Sequence, residues 1–323
     1  MDKPVSVSRR KFIGATATAA AGFSIVPSHA IAGLGYQSPG DKLNIAAIGV
    51  GGYGYSNLRH MESENIVALC DVDWDYAENT FKRWSKAKTY KDYREMFEQE
   101  KTIDAVMIAT PDHTHALPAA LAMREGKHVY LETPLTHSIY ESRIMAEMAG
   151  RYGVATQMGN QGNSGEGIRR ICEWIWAGTI GEVTHVDTWT THPVWPQHLE
   201  RPERSKRPPR DLDWDLFVGP APWRDYHPDY HPWKWRGWWD FGTGAPGAMA
   251  NHIIDPVFKA LKLHYPTSVE ASSTPFNNES PPNAEFIRYE FPRRDNLPKV
   301  AMPEVTLHWY DGGFMPPRPA ELA

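Results

Sequence analysis

The sequence predicts an α/β protein whose N-terminal half is a Rossmann domain, a doubly wound parallel sheet, followed by a second domain of helices and strands. Three observations carry this. A short apolar strand runs directly into Gly49-Val50-Gly51-Gly52-Tyr53-Gly54. Strand-like and helix-like stretches alternate from residue 42 to about residue 160, and the polar clusters of this region fall at the C-terminal ends of the strands, where open α/β sheets bind ligands. The 323 residues are enough for two domains, and 41% hydrophobic with 23% charged residues is ordinary globular usage.

The elements follow in order. Residues 42–48 form the first strand, and the G-x-G-x-x-G spacing after it supplies a tight turn, a close approach for a pyrophosphate and a helix–strand contact. A helix is expected to about Met61 and a second strand over Ile66–Leu69. That strand ends at Asp71, 22 residues after Gly49, where a carboxylate accepts hydrogen bonds from ribose hydroxyls. With Asp73 nearby and no Arg in the turn, a 2′-phosphate is disfavoured, so NAD is expected rather than NADP; the alternative is that Asp71 caps the next helix. Residues 91–99 read as a helix and Asp104–Thr110 as a fully apolar strand of a parallel sheet. A helix to Glu125, a strand over Gly126–Leu131, a helix over Ile139–Tyr152 and a strand over Val154–Met158 complete the pattern. The candidate cofactor-binding residues are Gly49, Gly51, Gly52, Gly54 and Asp71, with Thr110, Pro111, His115, Glu132, Thr133, Pro134 and Gln161 at the strand ends.

In the second half, Gly165–Trp176 reads as a helix burying Cys172 and Glu182–Thr191 as a strand. A helix is expected from about Asn251 to Leu263, and strands over Ser268–Thr274, Ala284–Phe291 and Glu304–Tyr310. Eight of the 13 tryptophans fall between Trp189 and Trp239, in a proline-rich, loop-like insert spanning 189–245. Its Trp233, Trp235, Trp238, Trp239 and Arg236 present flat apolar faces and polar groups suited to a sugar ring, or they pin the insert to the sheet; both readings stay open.

Several classes are excluded. A net charge of −5 without a basic cluster argues against nucleic acid. Two cysteines, Cys70 and Cys172, make neither a disulfide framework nor a Cys-based zinc site. His227 and His231 have a metal-like spacing, but Pro228 interrupts the helix it requires, so no metal is expected. The first 32 residues read as a twin-arginine export signal: Ser8-Arg9-Arg10-Lys11-Phe12-Ile13, a mild apolar stretch to Val26, and a small-x-small cleavage pattern ending at Ala30. The mature chain is therefore expected in the periplasm, delivered folded by the twin-arginine machinery.

The GVGGYG turn at 49–54, DAVMIATPDHTH at 104–115, HVYLETP at 128–134 and GAMANHIID at 247–255 resemble the glucose–fructose oxidoreductase, inositol dehydrogenase and rhizopine-catabolism (Gfo/Idh/MocA) family of NAD(P)-dependent oxidoreductases. ATQMGNQG at 155–162 and YHPWKWRGWWDFGTGA at 230–245 point to its exported branch, and the resemblance covers residues 42–323. It implies a Rossmann domain over 42–160 and, over 161–323, an α+β domain on an open, mostly antiparallel sheet that binds sugars, glycosides or cyclitols. Compared with the branch, the chain's end resembles a truncation; a homo-oligomer is expected if the sheet is complete.

Two positions depart from the family pattern. The family's Glu-Lys-Pro is Glu132-Thr133-Pro134 here, and its Asp-x-x-x-His is Ala248 followed by His252. His252 is thus the candidate base, since a neutral imidazole accepts a proton near neutral pH and a threonine does not. Asp240 and Asp255 are the candidates to orient it, and Asp255, three residues on, shares its face if the helix is continuous. Trp235, Arg236, Trp238 and Asn251 are the candidate substrate contacts. The expected activity is hydride transfer between a carbohydrate carbinol and nicotinamide. The alternatives are a glycoside lyase or hydrolase that cycles tightly held NAD, and a binding relative that has lost catalysis.

Overall fold

The computed structural model describes residues 41–294, 302–319 and 322; the proposed export signal lies outside them. The first sheet is parallel and six-stranded: β1 (Asn44–Ile48), β2 (Asn65–Cys70), β3 (Lys88–Tyr90), β4 (Ala105–Ile108), β5 (His128–Leu131) and β6 (Thr156–Met158), in the order β3-β2-β1-β4-β5-β6. The chain leaves β1 for one side of the sheet and returns at β4 on the other, so the loops after β1 and β4 diverge at the switch point and open a crevice.

Helices cover both faces: α1 (Tyr53–Arg59), α2 (Glu78–Arg83), α3 (Tyr93–Gln99), α4 (Ala116–Arg124) and α5 (Ile139–Tyr152). Strand periodicity divides the core. Ala46 and Ile48 of β1 join Met96, Phe97, Ala119 and Met145 on one face, whereas Ala47 joins Leu58, Leu69 and Met107 on the other. α5 begins where the sequence expects because Ser138 and Glu141 form a reciprocal capping box, and it stops at Gly153 in the left-handed conformation. The short strand β3 and helix α2 lacked a sequence signal, since three and six residues offer too little periodicity to read.

The second domain contains α6 (Glu166–Trp176), β7 (His185–Trp189), α7 (Trp214–Val218), α8 (Gly244–Ile253), α9 (Asp255–Leu261), β8 (Ser268–Ser273), β9 (Glu285–Phe291) and β10 (Val305–Tyr310). Its sheet is ordered β7-β10-β9-β8, antiparallel except for the β7–β10 pair. Alternate residues such as Leu307, Trp309 and Ile287 are buried with Ile254 and Leu261 of the helices.

The single helix expected over 251–263 is two. The first starts at Gly244, where Pro246 is tolerated in a first turn that needs no intrahelical N–H donors. The break at Ile254 follows from Pro256, which lacks an N–H and begins a new helix.

The insert is a packed aromatic unit. Trp214 stacks on Phe217 with ring centroids 4.9 Å apart, and Tyr226, Tyr230, Trp235, Trp238 and Phe241 complete its core. The buried Arg224 guanidinium lies 5.1 Å from the centroid of Tyr230 and 5.2 Å from that of Phe241. The insert docks on the loops after β2 and β4 through Asp213 N to Val72 O (2.9 Å) and His113 Nε2 with Phe217 O (2.9 Å).

Candidate active site

A cleft of about 560 Å³ lies at the C-terminal edge of the parallel sheet, between the glycine turn and the insert. Its floor is Gly49, Gly51, Gly52 and Tyr53 after β1, Asp71 after β2, Thr110 and Pro111 after β4, and Glu132 and Thr133 after β5. Gly49 has φ +75°, and a Cβ there would stand 2.7 Å from the Ala109 carbonyl carbon; Gly54 passes so close to the Gly49 carbonyl that no side chain fits. Beside the turn, Gly51 and Gly52 leave room for the ring of Tyr76.

Asp71 does more than the ribose reading proposes. One carboxylate oxygen accepts from Val50 N (2.8 Å) and Gly51 N (3.0 Å), and the other from Asp73 N (2.9 Å). The acid therefore ties the tip of β2 to the glycine turn. Burial pushes its pKa up to about 6, although the three backbone N–H groups pull the other way.

His252, on α8, faces Thr133. Its Nε2 lies 3.1 Å from Thr133 Oγ1, and both residues line the cleft with Ala248, one turn earlier on the same helical face. Burial pulls the imidazole below the ordinary histidine range, while the Glu132 and Asp255 carboxylates push it back. The departures at 133 and 248 therefore meet at one place, around the candidate base. Glu132 is fixed by Asn57 Nδ2 (2.6 Å), Tyr130 OH (3.3 Å) and the Thr133 N–H (3.2 Å).

The opposite wall includes Trp195, Phe217, His231, Trp233, Trp235 and Arg236. The Arg236 guanidinium lies 4.1 Å from the Trp235 ring centroid and 5.5 Å from that of Trp233, with Asp112 as its electrostatic counterpart. Lys91 also lines the cleft and donates to Asp211 O (3.0 Å). Tyr76, Asp112, Lys91 and Trp195 were missed in the sequence because nothing local marks a loop residue as facing a cleft.

Several expected site residues are placed elsewhere. The Asp240 carboxylate accepts from Arg224 Nη2 within the insert and does not orient His252. Asp255 starts α9 and accepts from Asn163 Nδ2 (2.7 Å), so it acts on His252 only through its field. Trp238 is 1% exposed and donates to Asp229 O (2.8 Å), which makes it core rather than a sugar platform. Asn251 donates to Gly247 O (2.7 Å) and faces a neighbouring apolar cavity of about 350 Å³ with Phe258, Tyr289 and Leu307. His115 is buried, its ring nitrogens each 2.8 Å from the carbonyl oxygens of Pro134 and Thr110, so it braces two cleft loops from behind. Gln161 reaches the cleft edge indirectly, donating to Tyr53 OH (2.7 Å). His227 and His231 face different carboxylates, Asp229 and Asp73.

The residues fit a dinucleotide. The turn is stripped of side chains, an acid stands at the tip of β2, and the buried Thr110 hydroxyl lining the cleft has no hydrogen-bond partner in the protein. Comparison with known proteins agrees. Residues 43–160 match the oxidoreductase family with an NAD-binding Rossmann fold, and residues 170–291 match the C-terminal α/β domain of the same family. The chain belongs to the Gfo/Idh/MocA oxidoreductases.

Curated relatives include a glycosyl hydrolase family 109 protein of Shewanella woodyi, 27% identical over 179 residues, covering 51% of this chain and 38% of the relative. An α-N-acetylgalactosaminidase of Shewanella oneidensis is 27% identical over 164 residues, covering 47% and 36%. The matched stretches thus span less than half of these relatives. Among solved structures, the fold is shared with the WlbA dehydrogenase of Chromobacterium violaceum in complex with NADH and UDP-GlcNAcA (TM-score 0.60, 17% identity, 83% of this chain and 67% of that one). It is shared too with myo-inositol 2-dehydrogenase of Lactobacillus plantarum (TM-score 0.55, 17% identity, 83% and 69%).

Proposed function

We propose that the protein is an NAD-dependent oxidoreductase that transfers hydride between nicotinamide and a carbinol carbon of a sugar, glycoside or cyclitol. The observation that carries this reading is the meeting of His252, Thr133 and the glycine turn in one cleft. Bound NAD would supply the hydride acceptor. His252, kept neutral by burial, is the base, and Thr133 Oγ1 stands 3.1 Å from its Nε2. In the tautomer with Nε2 unprotonated the Thr133 hydroxyl donates to it and accepts from the substrate hydroxyl, so the carbinol proton passes through Thr133 to the imidazole. Arg236, held between Trp233 and Trp235, supplies a cation and flat faces for a sugar on the far wall. Asp71 favours NAD over NADP by repelling a 2′-phosphate, and the sequence of residues 1–32 favours export of the folded protein to the periplasm.

The relatives named as glycosidases favour a second reading, in which NAD is reduced and reoxidised within one turnover and a glycosidic bond is cleaved. One experiment separates the two. The purified chain is supplied with NAD and either free sugars and cyclitols or aryl glycosides, including the α-N-acetylgalactosaminide. Accumulating NADH supports the dehydrogenase; NAD-dependent aryl release without net NADH supports the glycosidase. Neither signal across the panel contradicts both and leaves a binding protein.

A further inference from the structure

The second-domain sheet buries one face, and on the other it assembles a group of side chains that the cleft does not use. His185 and Asp187 are two apart on β7 and so point the same way, and the β7–β10 register sets His308 directly opposite Asp187. His185 Nε2 is 3.2 Å from one Asp187 oxygen and His308 Nδ1 is 3.2 Å from the other, and one ligand atom from each residue lies within 4.8 Å of the others. Among the described residues this is the one cluster of three such groups.

The geometry points to a binding site for a divalent transition ion of the zinc class on this sheet face, with His185, Asp187 and His308 as its protein ligands. Two arguments carry it. The first is spacing: metal–ligand distances of about 2.0–2.1 Å in a tetrahedron set ligand atoms about 3.3–3.4 Å apart. Each imidazole nitrogen lies 3.2 Å from its own Asp187 oxygen, His185 Nε2 from Oδ2 and His308 Nδ1 from Oδ1. One ligand atom from each residue lies within 4.8 Å of the others, so a small carboxylate rotation brings the three around one ion. As charge-assisted hydrogen bonds the same contacts are long, because those close to about 2.7–2.9 Å. The second is support. Tyr310 OH lies 3.4 Å from both Asp187 Oδ1 and His308 Nδ1, which places a hydroxyl beside the group for a small adjustment to bring it onto the carboxylate. The strands beneath are fixed by the buried Leu307 and Trp309.

The neighbouring cation does not oppose the ion, since Arg288, opposite His308 on β9, is paired with Glu290 at 2.5 Å. Two imidazoles and a carboxylate suit Zn²⁺, Co²⁺ or Ni²⁺ rather than Ca²⁺ or Mg²⁺. The half-exposed His185 leaves the fourth position toward solvent. Sequence spacing could not reveal this site, because His308 is 121 residues from Asp187 and meets it only through a parallel strand pair.

The test uses the full chain stripped with a chelator and titrated with Co²⁺ and Zn²⁺, reading the Co²⁺ visible absorption, bound zinc per chain and melting temperature. The expected result is one ion per chain and a melting temperature that rises with zinc. His185→Gln and His308→Gln each weaken binding at least about 10- to 100-fold. His185 is a surface side chain, so its replacement leaves the fold intact, and His264→Gln, at an exposed position elsewhere, keeps wild-type affinity. Absence of a Co²⁺ spectrum at saturating metal overturns the inference. So does binding that survives both ligand substitutions.

Discussion

At the scale of single residues, the cleft turns on two groups whose charge is set by burial. Asp71 is raised to about 6, so the fold prefers its uncharged form more than the unfolded chain does. Its contribution to stability is therefore present below about pH 4 and lost as pH rises through about 6. Cofactor binding runs the other way, because ribose hydroxyls need the ionised acceptor. NAD affinity, read by quenching of tryptophan fluorescence, should be constant above about pH 7 and fall toward about tenfold per pH unit below about 6. Asp71→Asn should flatten that profile, and an unchanged affinity at about pH 5 in the wild type would remove Asp71 from the ribose site. The other group is the Thr133–His252 pair. Restoring the family's polar groups with Thr133→Lys and Ala248→Asp puts a cation and a carboxylate beside His252. Turnover should rise by about 10²–10⁴-fold if proton transfer is what limits this chain. No gain in a folded, NAD-binding double variant would place the limitation elsewhere.

At the scale of elements, the parallel sheet and its helices were legible because each announces itself locally. The apolar run of β4 is a contiguous signal, and α5 occupies Ile139–Tyr152 as its sequence pattern reads. The glycine turn was legible for the same reason. Asp240, expected to orient His252, and Trp238, expected to touch the sugar, were not: only tertiary packing reveals that Arg224 takes the first and the insert core the second. Asp255 was misread because one proline two residues after Ile254 breaks the helix and turns the carboxylate toward Asn163. The aromatic insert is thus a small core with an exposed rim. Trp238→Ala should cost about 3–5 kcal/mol in denaturant unfolding, whereas Trp233→Ala, at an exposed rim position, should leave stability nearly unchanged and weaken carbohydrate binding. Equal destabilisation by the two would refute that division.

At the scale of the whole molecule, the fold brings loops from both domains to one edge of the parallel sheet and leaves strain from buried acids elsewhere. Burial and the neighbouring Asp311 carboxylate raise Glu285 to about 7. Its contribution to stability is present below about pH 4.5 and lost as pH rises through about 7. Glu285→Gln should accordingly stabilise the fold at about pH 8 by on the order of 2 kcal/mol, seen as a higher melting temperature, and do little at about pH 4.5. A variant equally stabilised at both values would show that charge is not the cause. The proposed oxidation of a carbohydrate carbinol in this cleft rests on His252 as base. The most direct measurement is a single turnover of NAD-loaded protein mixed with the reactive carbohydrate, following the NADH absorbance band in wild type and His252→Gln. Cofactor reduction is expected in the wild type, with a rate lower by about 10²–10⁴-fold in the variant and NAD affinity retained. Reduction at the same rate in both proteins would contradict that role of His252.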